Sequence, residues 1–405
     1  MLKVKKLLWI SQYVPYDLVP HAGGQIENYY LKALNNIGGF DITLYTFANY
    51  MEKCKIDLKK YGIKHDIQYY TWEGWKGNAL KIFNRISKIW IWRKHAGLNC
   101  AYFPINMLRR IKLLASTGYV PDIVVLQWTE ISLISDEVKK IFPNVKIVCI
   151  EEDVCFLGQE RRLNNAGNGF KRRFLLAKYK AVKKSELKML NTADLVILNN
   201  HKDEELLYKN DFSGNAWVWC PYFNNMLDLR RGRTNKDILF YGAMFREENW
   251  RSALWFIDQV MPLLQDKEVR FIIIGNRPDE QLKKRECDKV KVLGFVDKVE
   301  PYFKNSLCLA ASLVLGAGVK IKVLEAMSSG IPVLTNSIGI EGINAQNKRE
   351  YFYCERPEEY ADIINKLLDG YINSTQISKN AKAFITQNYN FEKDVKEFCL
   401  RLLEL

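Results

Sequence analysis

Short runs rich in β-branched and aromatic residues alternate along the chain with longer stretches whose apolar positions recur every three to four residues. The short runs predict strands at Lys6–Ser11, Asp41–Phe47, His65–Thr71, Asp122–Trp128, Lys146–Asp153 and Leu195–Asn200, and again at Ile238–Gly242, Val269–Gly275, Val290–Phe295, Leu307–Ser312 and Ile331–Asn336. The longer stretches predict helices at Gln25–Ile37 and Asp136–Phe142, a long one near Lys171–Leu190, then Glu248–Leu264, Lys320–Ser329 and Phe391–Leu403. Alternation of this kind builds parallel sheets with helices on both faces, so the fold class is α/β, as two doubly wound, Rossmann-like units in series. The joint is expected at Pro221–Asn235, where Pro221, two adjacent asparagines and Arg230-Arg231-Gly232-Arg233 interrupt the periodicity. The expected boundaries are 1–225 for the first domain, 226–235 for a linker and 236–388 for the second domain, with residues 389–405 a helix that packs back on the first. Ligands of open sheets bind beyond the carboxyl ends of the strands, so a cleft between the two domains is expected.

The chain has 405 residues, enough for two full cores. With 48% apolar and 26% charged residues, neither a disordered nor a fibrous chain is compatible with it. The nine cysteines are odd in number, scattered and without a C-x-x-C pair, which fits a reduced, cytoplasmic interior. The apolar run Leu7–Ile10 behind the basic N-terminus is too short for a secretion signal, and no uncharged run reaches the length needed to cross a bilayer. Any membrane role is therefore expected to be peripheral.

Net charge is +14, and its placement is uneven. Residues 236–405 hold 24 of the 60 Lys/Arg and 24 of the 46 Asp/Glu, so the whole excess lies in the first 235. No acid occurs between Glu73 and Asp122 or between Glu160 and Glu186, and each window carries nine basic residues. Such one-sided fields attract anionic lipid or nucleic acid. In the first window Ile82, Ile86, Ile89 and Trp90 recur at helical spacing beside Lys81, Arg85 and Lys88, with Trp90 and Trp92 near the end. Cations for headgroups and tryptophans for the boundary are the marks of an interfacial helix, and Lys81, Arg85, Lys88, Trp90 and Trp92 are the candidate membrane-facing residues. An ordinary amphipathic helix with a solvated basic face is the plainer alternative.

Two places can carry chemistry. The first strand leads to Ala22-Gly23-Gly24-Gln25 at the start of a helix, where glycines let backbone N–H groups approach a phosphate, although a plain turn reads the same way. The sharper one is Gly316-Ala317-Gly318-Val319-Lys320-Ile321-Lys322-Val323-Leu324-Glu325. It is a glycine loop opening a helix with two lysines in its first turns, suited to a diphosphate. Glu325 shares a face with Lys322 and can hydrogen-bond vicinal ribose hydroxyls; the alternative is a solvated Lys–Glu pair.

The stretch Gly316–Val333 resembles the signature segment of the retaining glycosyltransferases of family 4, which have the GT-B fold of two Rossmann-like domains facing a cleft. Gly23-Gly24 resembles that family's N-terminal glycine loop. Phe240-Tyr241-Gly242-Ala243-Met244 with Asn249 and Trp255-Phe256, Ile272-Ile273-Ile274-Gly275, Val292-Leu293-Gly294-Phe295-Val296, and Thr335 to Glu341-Gly342 resemble its second domain in order. The resemblance implies a nucleotide-sugar donor, UDP- or GDP-linked, and transfer with retained anomeric configuration. It implies donor contacts from Gly23, Gly24, Gly316, Gly318 and Lys320, diphosphate neutralisation by Lys322 and Arg246 in place of a metal, ribose contact by Glu325, and a nucleobase lying against Gly294, Phe295 and Val296. No cofactor and no metal are implied, the nucleotide-sugar being a substrate. Two positions depart from the pattern. Ala317 stands where many members carry the first of paired glutamates, which removes a covalent nucleophile there, and Glu152 of Glu151-Glu152-Asp153 stands where relatives have histidine. Glu152 and Asp153 are the catalytic candidates, as base or binder for the acceptor hydroxyl, or else acids paired with Arg161 and Arg162. Transfer without a nucleophile would run by front-side attack, with positioning and charge stabilisation as the protein's share.

The expected function is a cytoplasmic enzyme, peripheral on the inner face of the plasma membrane, that moves a sugar to a glycan or lipid-linked acceptor in bacterial surface polysaccharide synthesis. A nucleotide-sugar epimerase or hydrolase of the same fold, and an inactive polyanion binder, are the alternatives. Nucleic acid is the disfavoured partner, since no recognised nucleic-acid motif is present.

Overall fold

Seven strands form one sheet and six form another, and every pairing within them is parallel. The structure is a computed structural model describing residues 4–91, 102–164, 166–316 and 318–405, with residues 87–91 described by backbone alone. The first sheet contains β1 (Lys5–Ser11), β2 (Phe40–Asn49), β3 (Lys64–Tyr70), β4 (Ile123–Gln127), β5 (Lys146–Glu151), β6 (Leu195–Leu198) and β7 (Ala216–Val218), in the order β3-β2-β1-β4-β5-β6-β7. The second contains β8 (Asp237–Tyr241), β9 (Arg270–Ile274), β10 (Val290–Gly294), β11 (Cys308–Ala311), β12 (Val333–Thr335) and β13 (Phe352–Tyr353), in the order β10-β9-β8-β11-β12-β13. In each sheet the chain winds outward one way and then returns to wind the other way. Two topological switch points result, between β1 and β4 and between β8 and β11. Central strands such as Ile123–Gln127 and Cys308–Ala311 are buried at every residue, as strands covered on both faces must be, and their sequences are accordingly near-continuous apolar runs.

The eleven strands expected from the pattern all form. The two extra ones, β7 and β13, are edge strands of three and two residues, too short to show a period of two. The helix expected at Glu248–Leu264 runs as an α-helix only over Glu247–Trp255 and then loosens into a five-residue wide turn and a tight turn at Met261–Leu263. Pro262, without an N–H, cannot continue the ladder there.

The chain divides into two compact units, one of residues up to Cys220 together with Phe391–Leu405, the other Pro221–Asn390. The last helix, Phe391–Glu404, belongs to the first unit because Phe398 is fully buried there. It meets Trp9, Tyr30 and Trp219 edge-on at ring distances of 6.3, 6.1 and 5.5 Å. Lys5 Nζ donates to the carbonyl of Leu403 at 2.6 Å, satisfying a carbonyl at that helix's C-terminus. The segment 226–235, which reads as a linker, is bonded onto the second unit. Met226 N–H donates to Ser328 Oγ at 3.0 Å, Lys382 Nζ donates to the carbonyls of Leu227 and Leu229 at 2.7 Å each, and the half-buried Arg231 guanidinium donates to the carbonyls of Phe303 and Ser306. A run of arginines looks solvated in sequence, but here one of them caps the end of a helix.

Candidate functional site

In the second unit the end of β8 and the helix that follows it meet one lysine of the helix Ile321–Ser329. The helix Ile321–Ser329 is buried from Val323 onward, so the residues it carries are not on a solvated face. Lys322 Nζ donates to Asn249 Oδ1 at 2.5 Å and lies 5.2 Å from the ring of Phe240 on β8. Asn249 is itself buried and fixed by donating to the carbonyl of Ala243 at 2.9 Å. Burial brings the Lys322 pKa down from 10.5 to about 7, helped by the charges of Lys320 and Arg246 and opposed by Glu248 and Glu325. Glu325 is buried one turn along and accepts the backbone N–H of Asn224; burial pushes its carboxyl up to about 8 against the pull of that hydrogen bond and of Lys322.

Two glycines make this convergence possible. A Cβ on Gly242, after β8, would stand 2.9 Å from Lys322 Nζ and 3.2 Å from Asn249 Nδ2. A Cβ on Gly275, after β9, would lie 1.6 Å from the carbonyl oxygen of Gly242, so the backbones of neighbouring strand ends touch. Gly316 and Gly318 both have positive φ, and the Lys320 ammonium turns back onto the Gly318 carbonyl, with Glu341 at 3.8 Å. Of the two lysines expected to meet a diphosphate, Lys320 is therefore paired within the loop, while Lys322 is the one held without an adjacent carboxylate contact. Arg246 caps the helix Glu247–Trp255, half-exposed and paired with Glu248. Gly294 ends β10 in a left-handed conformation and is followed by Phe295, 73% exposed, two strands or roughly 10 Å from β8.

In the first unit, residues from the ends of both neighbouring strands, β4 and β6, hold Glu152 after β5. Gln127 Nε2 at the end of β4 donates to its Oε1 at 2.7 Å. Asn199 Nδ2, after β6, donates to its Oε2 at 3.0 Å, and Asn199 is fixed in turn by the Trp219 indole N–H at 2.7 Å. Burial raises the Glu152 carboxyl to about 7, Asp153 adds to the rise, and the two amide donors restrain it. Asp153 itself is exposed. Glu151 is buried and takes the Thr129 hydroxyl, so the two glutamates at this strand end are held by amides and a hydroxyl.

The paired glycines here serve the chain's own side chains. A Cβ on Gly23 would lie 2.2 Å from Trp128 Cη2 and 3.0 Å from Glu152 Cδ, and one on Gly24 would lie 2.5 Å from the His21 ring, whose Nδ1 accepts the Gly24 N–H at 3.0 Å. Sequence reasoning missed Trp128 and Glu27. Trp128 sits at φ 77, a backbone region rarely used by large residues, with its ring edge-on to Tyr13 and His21 at 5.1 and 5.7 Å. Its indole N–H and the Ser11 hydroxyl both reach Glu27 Oε2, at 3.3 and 2.8 Å. Glu27 is fully buried, and burial pushes its carboxyl up to about 8. A glutamate in an amphipathic helix gives no sign in sequence that it faces inward.

Lys81 and Arg85 lie on the helix Gly74–Ile91 and are exposed, and so are Ile82 and Ile86, so the apolar stripe of this helix faces out with its cations. Lys88 and Trp90 belong to the same helix; their side chains, Trp92 and Ala317 lie outside the described residues. Among the described residues no helix is long and apolar enough to cross a membrane, and no group of three or more His, Cys, Asp or Glu could hold a metal ion.

Residues 235–370, about a third of the chain, match the family model of Glycosyl transferases group 1. The chain is 24% identical over 187 residues to an uncharacterized 44.6 kDa protein in the cps region of Klebsiella pneumoniae, a match spanning 44% of this chain and about half, 47%, of that relative. It is 23% identical to an uncharacterized glycosyltransferase of Methanocaldococcus jannaschii, over 98% of both chains. Among solved structures it is similar to HepE of Anabaena in complex with UDP (TM-score 0.69, 15% identity, 99% of this chain and 100% of that one). It is also similar to sucrose-phosphate synthase of Thermosynechococcus elongatus (TM-score 0.67, 14% identity, 99% and 98%). The chain therefore has the GT-B fold, and residues 235–370 of its second unit match the family model of Glycosyl transferases group 1.

Proposed function

We propose that this protein transfers a sugar from a nucleoside-diphosphate sugar to a glycan or lipid-linked acceptor with retention of configuration, without a metal, at an anionic membrane surface. The observation that carries this reading is Lys322, half-buried against Gly242 at the end of β8 and bonded to Asn249, at the start of the helix Ile321–Ser329. A half-buried cation at such a place answers the charge of a leaving diphosphate. The structures of HepE with UDP and with UDP-glucose favour UDP as the donor base, and the cps-region relative favours a surface polysaccharide as the product.

In this reading Lys322 and Arg246 receive the diphosphate, Glu325 takes ribose hydroxyls, and Gly294, Phe295 and Val296 border the base. Glu152, at about 7, is poised to accept the proton of an acceptor hydroxyl at neutral pH, with Asp153 beside it. Lys81, Arg85 and the rest of the helix Gly74–Ile91 meet the membrane.

Thermal stabilisation by UDP, GDP and their sugar conjugates tests the donor site. Saturable stabilisation by a uridine conjugate, lost in Lys322→Ala and Glu325→Ala, is expected. Stabilisation by single-stranded DNA alone would overturn the reading in favour of a polyanion binder. Lys81→Glu with Arg85→Glu should abolish binding to anionic vesicles and leave nucleotide binding intact.

A further inference from the structure

The loop after β1 presents a leucine in a way that the fold itself does not need. Leu18 is 93% exposed and has φ 62, a left-handed conformation that costs a branched side chain and suits Gly or Asn. Its neighbours are fixed. The Asp17 carboxylate accepts from Lys32 Nζ at 2.8 Å, Asn28 Nδ2 at 3.1 Å and the Tyr61 hydroxyl at 2.8 Å, and the Asp17 N–H donates to Asp57 Oδ2 at 3.1 Å. Val19 and Tyr16 are buried on either side. The loop is thus held rigidly with one apolar side chain pointing away from everything that holds it.

The same bonds tie this loop to the segment after β2. Tyr16 donates to Glu52 at 3.3 Å, and Asp57 joins Asp17 through Lys32. That segment presents Tyr50 and Met51, the latter 71% exposed, and Tyr50 stacks on Tyr69 of β3 at 5.6 Å. β1, β2 and β3 are adjacent, so these tips share the carboxyl edge of the sheet, the edge that also carries Glu152 after β5. Single exposed apolar residues need no explanation. Three on two connections stitched together by hydrogen bonds, with exposed Lys53 and Lys55 following Met51, form a surface feature.

We infer that Leu18, Tyr50 and Met51 enter the interfacial layer of an anionic bilayer, a second contact beyond the helix Gly74–Ile91. The occupant is a lipid surface because the feature consists of separate exposed tips and not a groove, and because the exposed Lys53 and Lys55 follow Met51 on the same segment, where phosphate headgroups would meet them. The inference rests on the membrane part of the proposed function and adds an orientation, in which the edge bearing Glu152 is turned to the headgroups, where an acceptor on a lipid diphosphate would present its sugar.

The test uses the full chain with vesicles of equal parts phosphatidylcholine and phosphatidylglycerol. Leu18→Asn combined with Met51→Gln should weaken partitioning by about tenfold or more, as expected for the loss of buried apolar side chains. It should leave stabilisation by UDP unchanged and not lower the melting temperature, since Asn accepts the left-handed backbone. Undiminished vesicle binding by this variant, while Lys81→Glu with Arg85→Glu loses it, would overturn the inference and leave the membrane reading standing. Absence of vesicle binding by the native chain would overturn both, with the donor site judged separately by the UDP response. A fall in melting temperature, or a loss of self-association without a change in vesicle binding, would also overturn it, making Leu18 a packing residue or a protein contact.

Discussion

If Lys322 receives the diphosphate, donor binding must take up a proton above neutral pH. In the unliganded unit its pKa stands at about 7, lowered from 10.5 by burial and by Lys320 and Arg246. At pH 6 it is already charged; at pH 8 most molecules hold it neutral. A diphosphate beside Nζ favours the charged form and raises the pKa of the complex. Binding at pH 6 therefore moves almost no proton, and binding at pH 8 draws in close to one. Each pH unit above 7 weakens binding by up to tenfold, or about 1.4 kcal/mol, until the pKa of the bound state is reached. From pH 7 to 9 the effect is at most about fiftyfold, or about 2.3 kcal/mol, reached if the bound pKa lies well above 9.

The assay is calorimetric titration with UDP-glucose, whose diphosphate is doubly esterified and has no proton of its own to release in this range. Runs at pH 6 and pH 8, each in two buffers of different ionisation enthalpy, give the proton count directly. Glu325, pushed up to about 8, titrates in the same window. Glu325→Gln keeps its shape and removes that titration, so the uptake surviving in this variant belongs to Lys322. Lys322→Met should bind more weakly at pH 6 and show no uptake at pH 8. Tight binding by the native chain at pH 8 without proton uptake would refute the assignment of Lys322 to the diphosphate.

Other outcomes follow from single contacts. Gly23→Ala places a methyl 2.2 Å from Trp128 Cη2, so a loss of about 1–3 kcal/mol in denaturant unfolding is expected; it should be largely recovered when Trp128→Leu is added, and a purely additive double mutant would count against the contact. Glu27 holds its proton in the folded state up to about pH 8 and in the unfolded chain only up to about 4.5. The folded state thus binds more protons across that interval, the contribution is fully present below pH 4.5, and it is lost as pH rises to 8, on the order of 4 kcal/mol in all. Glu27→Gln should flatten the melting temperature against pH, and an unchanged profile would contradict a buried neutral carboxyl. Phe398→Ala should cost about 3–5 kcal/mol, read as a lowered midpoint of chemical unfolding, because the ring is fully enclosed by Trp9, Tyr30 and Trp219.

Much of the fold is legible because both sheets are parallel and covered on both faces. Their strands must then be apolar along their length, and each must be separated from the next by a helix-forming stretch. Cys308–Ala311 and Ile123–Gln127 declare themselves in this way. Edge strands do not, since Ala216–Val218 and Phe352–Tyr353 owe their extended form to one neighbour and to no pattern of their own. The second-unit site is legible for a related reason. Positive-φ glycines beside a helix start are a local backbone requirement, and Lys322 and Glu325 lie within nine residues of that loop.

The first-unit site is harder to read because its parts come from far apart in the chain and because identical residues do different work. Gly23-Gly24 and Gly316-x-Gly318 look alike as strings. Gly316 and Gly318 have positive φ and would be strained by any side chain, whereas Gly23 and Gly24 are small because Trp128 and His21, 105 residues later and three residues earlier in the second case, occupy the space. Glycine loops that look equally suited to phosphate thus separate into a backbone of fixed shape and a packing surface. The packing surface is what brings Trp128, Glu27 and Glu152 together. A carboxyl at about 7 depends on that enclosure, since Glu152 left in water would ionise near 4.5 and have little capacity to hold an acceptor's proton at neutral pH. The absence of a side chain at position 23 leaves the room in which the Trp128 ring and the Glu152 carboxyl both stand.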